Sequence, residues 1–531
     1  MRRKALRVGL AWFLVGCVLF LAFALLERRA QAQGGTIRYV APTGNDTGNC
    51  TDSFNPCSTV QYALDQVTSG GEIRVATGVY TDIHQRAGIT QVVYINKSVT
   101  IRGGYDASNW NVPPDPEANP TALDAQGQGR VLYITGDIHP TLEGLRIVHG
   151  YAAGLGGGPG GGDAGGGLYL RESTAMLTGN TVISNSAQYG GGVYLYKSDA
   201  KLSGNRVQGN EAQHPMYGSG GGGLYLYYSG ATLSGNMVQG NTSAGMYGCG
   251  GGLYLYRSGA VLIGNTITAN TTYFNGGGLY LYSSGATLTG NTITANTTYF
   301  DGGGLYLDSS GATLSGNAVT FNTAWDGGGL YLEESSATLS GNVVTSNTAQ
   351  YDNGGGLYLE KSDATLTNTV VADNQAHGLG SGLYIEASSP RLLHATIARN
   401  TGGSGVYVTH SGSSYSTVAL TNTILVSHTV GLTVTAGNAA TLNATLWHAN
   451  GTDYGGSVIH TNDRNGDPAF APDGYHLMAG SAAMDGGVDT GVRTDVDNEP
   501  RPYQTPDLGA DEYWPPGALK RIYLPLIVRN R

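Results

Sequence analysis

Apolar and aromatic residues alternate in a short motif that recurs through the middle of the chain. Each copy reads Leu-Tyr-Leu or a close variant after a glycine-rich turn. The copies begin at Leu168, Val193, Leu224, Leu253, Leu279, Leu305, Leu330, Leu357, Leu383 and Val406. They start about 26 residues apart, and a period in the twenties is typical of a solenoid. The alternation predicts a strand with Leu168 and Leu170 on one face and Tyr169 on the other.

Two more short apolar stretches follow each motif, around Leu177 and Val182 in the first copy. Ser-Gly and Gly-Asn corners separate them, and such corners break strands. The repeat therefore predicts an all-β parallel β-helix with three strands per coil of about 26 residues. A single coil cannot bury its apolar face alone, so the coils are expected to stack with strands about 4.8 Å apart.

Asparagine recurs at two positions of the repeat. The first set is Asn180, Asn205, Asn236, Asn265, Asn291, Asn317 and Asn342. The second set is Asn185, Asn210, Asn241, Asn270, Asn296, Asn322 and Asn347. Stacking would place each asparagine over the next, so we expect two amide ladders with asparagine at left-handed corners. The outward tyrosines are expected to stack in the same way.

A leucine-rich repeat is the alternative solenoid, because its period overlaps and Thr338–Val344 resembles its core motif. The segments between the strands are rich in Gly, Ser and Thr and contain no helix-forming stretch. The glycines before each Leu-Tyr-Leu motif also have no place in a leucine-rich repeat. The pattern therefore favours the β-helix.

Changes in the pattern predict the organisation of the chain. Residues 1–32 are expected to be a signal peptide or N-terminal anchor, and 33–164 an N-terminal cap with irregular β-helix coils. Residues 165–410 are the regular repeats, 411–513 the C-terminal coils and cap, and 514–531 a C-terminal tail. The repeats join into one elongated body rather than separate globular domains.

The first segment has the features of an export signal. Basic residues precede the apolar run Val8–Leu26, and Ala30-Gln31-Ala32 resembles a cleavage site. The run is about as long as a membrane-spanning helix, so an uncleaved anchor is the alternative. We expect an exported protein, extracellular or at the cell surface, with membrane contact only through this segment if it is uncleaved.

The charge and the cysteines indicate what kind of protein this is and which partners it lacks. The net charge is −10 and only 12% of residues are charged, which argues against nucleic-acid binding because that needs a basic stripe.

In an oxidising compartment, Cys50 and Cys57 in a polar loop predict a disulfide, with two free thiols as the alternative. Cys249 is interpreted as a small buried residue, and Gln61–Val67 as a short helix over the open end of the solenoid.

Several motifs resemble known families. The opening YVAPTGND, the cysteine pair, the IRGGY turn and LEGLRIVHG look like the first coils of secreted bacterial right-handed β-helix proteins. The repeats resemble those of polymorphic outer-membrane proteins. GDPAF, YHLMAGSAAMDGG, TDVDNEPRP and DLGADEY, between Gly466 and Tyr513, resemble the end of the choice-of-anchor Q group of bacterial surface proteins. These resemblances imply an exported, envelope-associated right-handed β-helix and no particular reaction.

Acidic residues occupy the position after the motif in four successive copies. They are Asp308, Glu333, Glu360 and Glu386. Carboxylates stacked about 5 Å apart repel, so raised pKa values, a bound Ca²⁺ or a cationic partner should compensate. Solvated surface charge, cation binding and catalysis are the three interpretations, and these four residues are the candidates for any catalytic role. Asp485, Asp489, Asp495 and Asp497 are interpreted as turn and cap residues.

Aromatic residues also recur just before the glycines. They are Tyr189, Tyr217, Tyr247, Tyr273, Phe274, Tyr299, Phe300, Trp325 and Tyr351. Together with the strand tyrosines, this row could flank a shallow groove where sugar rings stack, and intramolecular stacking is the alternative. The predicted glycan-binding residues are Tyr306, Tyr331, Tyr358, Tyr384 and Trp325.

Two functions are consistent with these patterns. The first is a non-catalytic, adhesin-like surface protein that binds glycans or another envelope component. The second is a polysaccharide lyase or glycoside hydrolase that uses the acidic column. Catalysis needs a few unique residues that converge in a cleft, whereas nearly every notable residue here belongs to a repeated column, so the sequence favours binding. It predicts no cofactor other than a possible Ca²⁺.

Overall fold

The protein is a single stack of parallel β-coils, as a computed structural model of residues 36–214 and 218–518 shows. Every pairing between successive Leu-Tyr-Leu strands is parallel and in register, so that Leu305 lies opposite Leu330 and Tyr306 opposite Tyr331. This confirms the predicted parallel β-helix and excludes the leucine-rich repeat, because strands and not helices follow each motif.

The first strand of each regular coil carries the Leu-Tyr-Leu motif. These strands are Leu168–Arg171, Val193–Tyr196, Leu224–Tyr227, Leu253–Tyr256, Leu279–Tyr282, Leu305–Asp308, Leu330–Glu333, Leu357–Glu360, Leu383–Glu386 and Ser404–Thr409. They belong to a sheet of 15 strands that runs the length of the solenoid.

The second and third strands of each coil lie in one sheet of 29 strands. The second strands are Met176–Thr178, Lys201–Ser203, Thr232–Ser234, Val261–Ile263, Thr287–Thr289, Thr313–Ser315, Thr338–Ser340, Thr365–Thr367 and Arg391–Leu393. The third strands are Thr181–Ile183, Arg206–Gln208, Met237–Gln239, Thr266–Thr268, Thr292–Thr294, Ala318–Thr320, Val343–Thr345, Val370–Ala372 and Thr396–Ala398.

A two-residue fourth strand follows the three that the sequence predicts. These strands are Ser186–Ala187, Glu211–Ala212, Thr242–Ser243, Thr271–Thr272, Thr297–Thr298, Thr323–Ala324, Thr348–Ala349 and Gln375–Ala376. They form a third sheet of eight strands, and the chain then returns through a loop to the next glycines.

One continuous apolar core fills the solenoid from Val40 to Trp447. In the coil that starts at Leu330, both leucines of the motif point inward, together with Leu339 and Val344 of the second and third strands. The same positions of the neighbouring coils stack above and below them, so each inward side chain lies in an aliphatic column.

The two asparagine ladders are present and buried. Nδ2 of Asn291 donates to Oδ1 of Asn317 at 2.9 Å, and Nδ2 of Asn296 donates to Oδ1 of Asn322 at 3.0 Å. A serine ladder also runs along the solenoid, in which the Ser284 N–H donates to Oγ of Ser310 at 3.0 Å. These ladders satisfy polar groups at the corners that would otherwise be buried without partners.

The asparagines do not occupy the left-handed corners as expected. The residue before each asparagine does, such as Gly290 with φ of 60° before Asn291. The preceding residue makes the sharp turn, which leaves the asparagine amide free to point inward and bond to the next coil. This explains why glycine precedes the first asparagine of each coil from Asn180 to Asn342.

The N-terminal end contains irregular coils and a short helix. The strands are Ile37–Val40, Glu72–Ala76, Gly78–Tyr80, His84–Arg86, Ile89–Ile95, Thr100–Tyr105, Thr121–Asp124, Arg130–Thr135, Thr141–Glu143 and Leu145–Val148. The helix Val60–Gln66, close to the predicted Gln61–Val67, begins after Thr59, whose side chain accepts from the Tyr62 N–H. A disulfide joins Cys50 and Cys57, with a Cα–Cα distance of 5.3 Å. A 3₁₀ turn covers Pro159–Gly161.

The C-terminal coils contain longer strands. They are Thr417–Val426, Val430–Val434, Ala439–His448, Thr452–Gly455, Val458–Thr461 and Arg464–Asn465.

The chain then folds back along the outside of the third strands, and we name residues 466–518 the flanking segment. Its Leu477, Val496 and Leu508 pack on outward Val370 and Ile424. The third strands carry apolar outward residues where this segment covers them and threonines in most earlier coils.

Some predicted segments lie outside the described residues. These are the export signal within residues 1–32 and the tail beyond residue 518. Within the part of the chain that the structure describes, no helix is long and apolar enough to span a membrane.

Candidate functional site

The acidic column forms a straight line on the outside of the first sheet. Asp308, Glu333, Glu360 and Glu386 are the last residues of four successive first strands, and each lies directly opposite the next. Their side chains are half-buried. The repeat thus brings these four predicted residues together, as the register requires.

Tyrosine hydroxyls compensate much of the negative charge. Each carboxylate accepts a hydrogen bond from the tyrosine of the preceding coil. The pairs are Tyr280 with Asp308 at 3.0 Å, Tyr306 with Glu333 at 2.5 Å, Tyr331 with Glu360 at 2.8 Å and Tyr358 with Glu386 at 2.6 Å. Lys361 adds a cation, with Nζ 3.5 Å from carboxylate oxygens of both Glu334 and Glu360. Spacing along the chain does not predict this hydrogen bonding between neighbouring columns.

Two further carboxyl groups lie close to this column. Asp301 and Asp326 come immediately before the glycines of two successive coils. Burial, followed by the repulsion of Asp326, raises the pKa of Asp301 to about 7, and burial also raises the pKa of Asp326 to about 7. Burial raises the pKa of Glu333 as well. The signal in the sequence was an acidic residue at the position where Asn275 and Asn353 stand in other coils.

The strand tyrosines of the predicted glycan-binding set are largely buried. Tyr306, Tyr331 and Tyr358 are 4%, 7% and 7% exposed, and Tyr384 is partly buried. Their rings stack on one another, with centroids 4.9 Å apart for Tyr306 and Tyr331 and 4.5 Å apart for Tyr331 and Tyr358. The rings of Tyr306, Tyr331 and Tyr358 therefore leave little surface on which a sugar could stack.

The loop before the glycines buries these rings. In the coil of Tyr331 the chain turns sharply at Gly327, with φ of 59°. A Cβ added there would lie 2.8 Å from the Leu330 carbonyl oxygen and 2.9 Å from Cβ of Tyr331. Cys249 lies in a cluster of such tyrosines and is buried, as predicted, and this burial raises the pKa of its thiol to about 12.

The second aromatic row is the exposed one. Tyr273, Tyr299, Trp325 and Tyr351 are 46%, 53%, 37% and 52% exposed. The rings of Tyr273 and Tyr299 are parallel within 2° and 5.6 Å apart, and those of Trp325 and Tyr351 are 4.7 Å apart. Trp325 is thus the one predicted glycan-binding residue that lies in this exposed row. Tyr217 falls outside the described residues.

A groove runs beside the exposed row, and we name it the aromatic groove. Its volume is about 440 Å³, and its lining includes Tyr273, Tyr299, Tyr351, Gln350, Thr271 and Thr297. Phe274 and Phe300 support the row, because the ring of Phe300 packs edge-on against that of Tyr273 at 5.9 Å. Flat aromatic faces beside hydroxyl and amide groups are suited to a ligand with both apolar faces and hydroxyl edges.

The protein is thus a parallel β-solenoid with two notable outer surfaces. One is the acidic column, whose carboxylates accept hydrogen bonds from buried tyrosines, and the other is the exposed aromatic groove. The chain matches the family described as right handed beta helix region over residues 127–252, 246–389 and 302–446. These stretches overlap to span residues 127–446, which is more than half of the chain. The protein belongs to this family, and the predicted right-handed β-helix is confirmed.

Solved structures of similar shape include a complex of XylC with xylose, pectate lyase Pel9A and a mutant of the periplasmic alginate epimerase AlgG. Their identities to this chain are 10%, 13% and 11%, and their TM-scores 0.40, 0.30 and 0.31. The alignments cover 89%, 90% and 72% of this chain and 98%, 96% and 86% of the others. No curated protein matches the chain.

Proposed function

We propose that this protein is an exported, non-catalytic β-helix of the cell surface or extracellular space that binds glycans through the aromatic groove. The observation that carries the proposal is the exposure of four neighbouring aromatic rings along one edge of the solenoid. Exposed rings in a row cost free energy unless a ligand covers them, and sugar rings have apolar faces that stack on aromatic side chains.

The spacing of the groove supports a chain-like ligand. The rings belong to successive coils, so their positions repeat along the solenoid axis at centroid distances of 5.6 Å, 6.3 Å and 4.7 Å. An extended polymer can contact several such positions at once, and the combined contacts give affinity that no single ring provides. Thr271 and Thr297 lie along the same groove and can bond to hydroxyl groups.

Other features support export and a surface location. Residues 1–32 have the pattern of a targeting segment, and a disulfide such as Cys50–Cys57 persists in an oxidising compartment. The resemblance of the flanking segment to the choice-of-anchor Q group points to the cell envelope. The partner is a polysaccharide or another envelope component.

The test is retention of the purified protein on a panel of neutral and acidic polysaccharides. Tyr299→Ala and Trp325→Ala should each weaken retention about tenfold, or ~1.4 kcal/mol, with a small effect on melting temperature. Tyr415→Ala is the matched control, because Tyr415 is 56% exposed and belongs neither to the exposed row nor to the groove lining. Equal retention of all three variants and the parent would contradict the proposal.

The alternative function is cleavage of a polysaccharide by the acidic column. The observation in its favour is that the pKa values of Glu333 in the column and of the nearby Asp301 and Asp326 are raised. A general acid must hold its proton near neutral pH. Cleavage of any polysaccharide in the panel, with or without Ca²⁺, that Glu333→Gln or Glu360→Gln abolishes would establish this function and displace the binding proposal.

A further inference from the structure

Three turns of the flanking segment bring a histidine and two aspartates together. A side-chain ligand atom from each of His476, Asp497 and Asp511 lies within 4.8 Å of the other two. Nε2 of His476 is 2.5 Å from Oδ2 of Asp497. The three residues are separated by about 20 and 14 positions of sequence, so only the fold-back of this segment makes them neighbours.

A fourth residue fixes the orientation of the imidazole. Oδ2 of Asp473 is 2.6 Å from Nδ1 of His476, and Oδ1 of Asp473 accepts the backbone N–H groups of Tyr475 and His476 at 3.1 Å and 3.2 Å. With Nδ1 bound to this carboxylate, Nε2 is the nitrogen that faces Asp497 and Asp511. A carboxylate behind the histidine is the usual arrangement around metal-binding imidazoles.

Asp511 provides a second, independent observation. It is 93% buried, since only 7% of its surface is exposed, and its Oδ2 accepts the Leu477 N–H at 2.6 Å. Its other oxygen has no hydrogen-bond partner among the described residues, and Asp511 lines a cavity of about 370 Å³ together with His476 and Asp497. This oxygen therefore faces the cavity, where it is available to bind a cation.

The local charge also needs a cation. Asp473, Asp497 and Asp511 surround one imidazole. The buried guanidinium of Arg501 lies 3.5 Å from Glu512 and also donates to the backbone oxygens of Asp507, Gly509 and Ala510, so Glu512 has its own cation. One imidazole cannot balance the three carboxylates of Asp473, Asp497 and Asp511.

We propose that His476, Asp497 and Asp511 bind a divalent transition-metal ion of the Zn²⁺ type. One imidazole nitrogen and two carboxylates suit Zn²⁺, which accepts mixed nitrogen and oxygen ligands in a tetrahedral site with water in the remaining position. Ca²⁺ prefers six or more oxygen ligands and is disfavoured here. The ion would tie three turns of the flanking segment together and so hold that segment on the solenoid.

The experiment uses the full chain after treatment with a chelator. Isothermal titration with ZnCl₂ should show one binding site, and the same titration with CaCl₂ should show affinity at least about tenfold weaker. Saturating Zn²⁺ should raise the melting temperature of the chelator-treated protein, because an ion that binds only the folded state stabilises it. Co²⁺ should give visible absorption bands of a site with few ligands.

Matched variants separate the site from adventitious binding. His476→Gln and Asp511→Asn should lose the Zn²⁺ site, and Asp473→Asn should weaken it about 10- to 100-fold as a positioning residue. His460→Gln is the control, because His460 pairs with Asp463 at 3.0 Å and belongs to no such cluster among the described residues. A parent protein that binds no Zn²⁺, or His476→Gln and Asp511→Asn variants that bind it like the parent, would overturn the proposal. The melting temperature of the chelator-treated variants shows whether they are folded.

Discussion

The hydroxyl of Tyr331 donates a hydrogen bond of 2.8 Å to Oε2 of Glu360 in the following coil. Each partner belongs to a different column of the repeat, one aromatic and one acidic, and the bond runs diagonally between them. Burial is the main reason that the pKa of Tyr331 is raised, and the neighbouring Tyr358 and Glu360 raise it further. The hydroxyl therefore stays protonated and acts as a donor throughout the physiological range of pH.

The first prediction concerns this bond. Tyr331→Phe keeps the stacked ring and removes the donor, so it should lower the free energy of unfolding by about 1 kcal/mol. Tyr331→Ala also removes the ring and leaves a cavity, and should cost about 3–5 kcal/mol. Urea denaturation measures both. Neither change should alter glycan retention by the folded protein, and a loss of retention in Tyr331→Phe would restore a binding role for the strand tyrosines.

The second prediction concerns pH. The pKa of Asp301 is raised from 3.8 to about 7 in the folded state, so between these values the folded protein keeps a proton that the unfolded chain has released. Its contribution to stability is therefore present at about pH 4 and is lost as the pH rises through about 7.

Asp301→Asn should remove this dependence, because Asn275 and Asn353 already occupy the equivalent position in neighbouring coils. The variant should be more stable than the parent at pH 8 by on the order of 1–2 kcal/mol and similar to it near pH 4. Melting temperatures from pH 4 to 8 test this. Asp82→Asn, at an exposed position, is the control and should show no such trend.

The third prediction concerns the asparagine ladder. Asn296 donates to Oδ1 of Asn322 and to the Ile267 carbonyl, both at 3.0 Å, and its Oδ1 accepts two bonds from Asn270. Asn296→Ala leaves several buried polar groups without partners and should cost about 3–4 kcal/mol in urea denaturation. Asn111→Ala, at an exposed position, should cost less than about 0.5 kcal/mol. Equal effects would show that the ladder contributes little.

The fourth prediction concerns Arg501, which is fully buried in the flanking segment, 3.5 Å from the buried Glu512. Arg501→Leu leaves Glu512 and Asp507 without their cation, and burial has already raised the pKa of both carboxyl groups. The flanking segment should therefore be destabilised by about 3–5 kcal/mol.

Limited proteolysis should show faster cleavage within residues 466–518 of this variant, while the regular coils stay protected because each contacts mainly its neighbours. Arg493→Leu is the control, since Arg493 is exposed and bonds to Asp489 at 2.8 Å. Cleavage at the parental rate in Arg501→Leu would show that the buried arginine does not hold the segment in place.

The aspartates of the flanking segment are interpreted from the sequence as turn and cap residues, and the structure shows this role for Asp489 and Asp495. Oδ1 of Asp495 accepts the N–H groups of Asp497 and Glu499 at 3.0 Å and 2.8 Å, and Asp489 accepts the Gly491 N–H at 2.9 Å. Both are turn residues, as interpreted. Asp497 instead contacts His476, a neighbour that local sequence rules cannot identify because 20 intervening residues form the turns between them.

The sequence by itself determined the repeat, the parallel register, the inward leucines and the two asparagine ladders. The physical reason is that in a stack of similar coils each residue lies beside its own equivalent, so spacing along the chain directly predicts contacts in space. Only the tertiary structure decided which outward residues are exposed. The turn at Gly327 packs against Tyr331, which is 7% exposed, whereas Trp325 just before this turn is 37% exposed. The flanking segment returns to the coils, where Nδ2 of Asn368 donates to the Thr494 carbonyl at 2.7 Å. Such contacts depend on how irregular loops pack, and no period in the sequence encodes them.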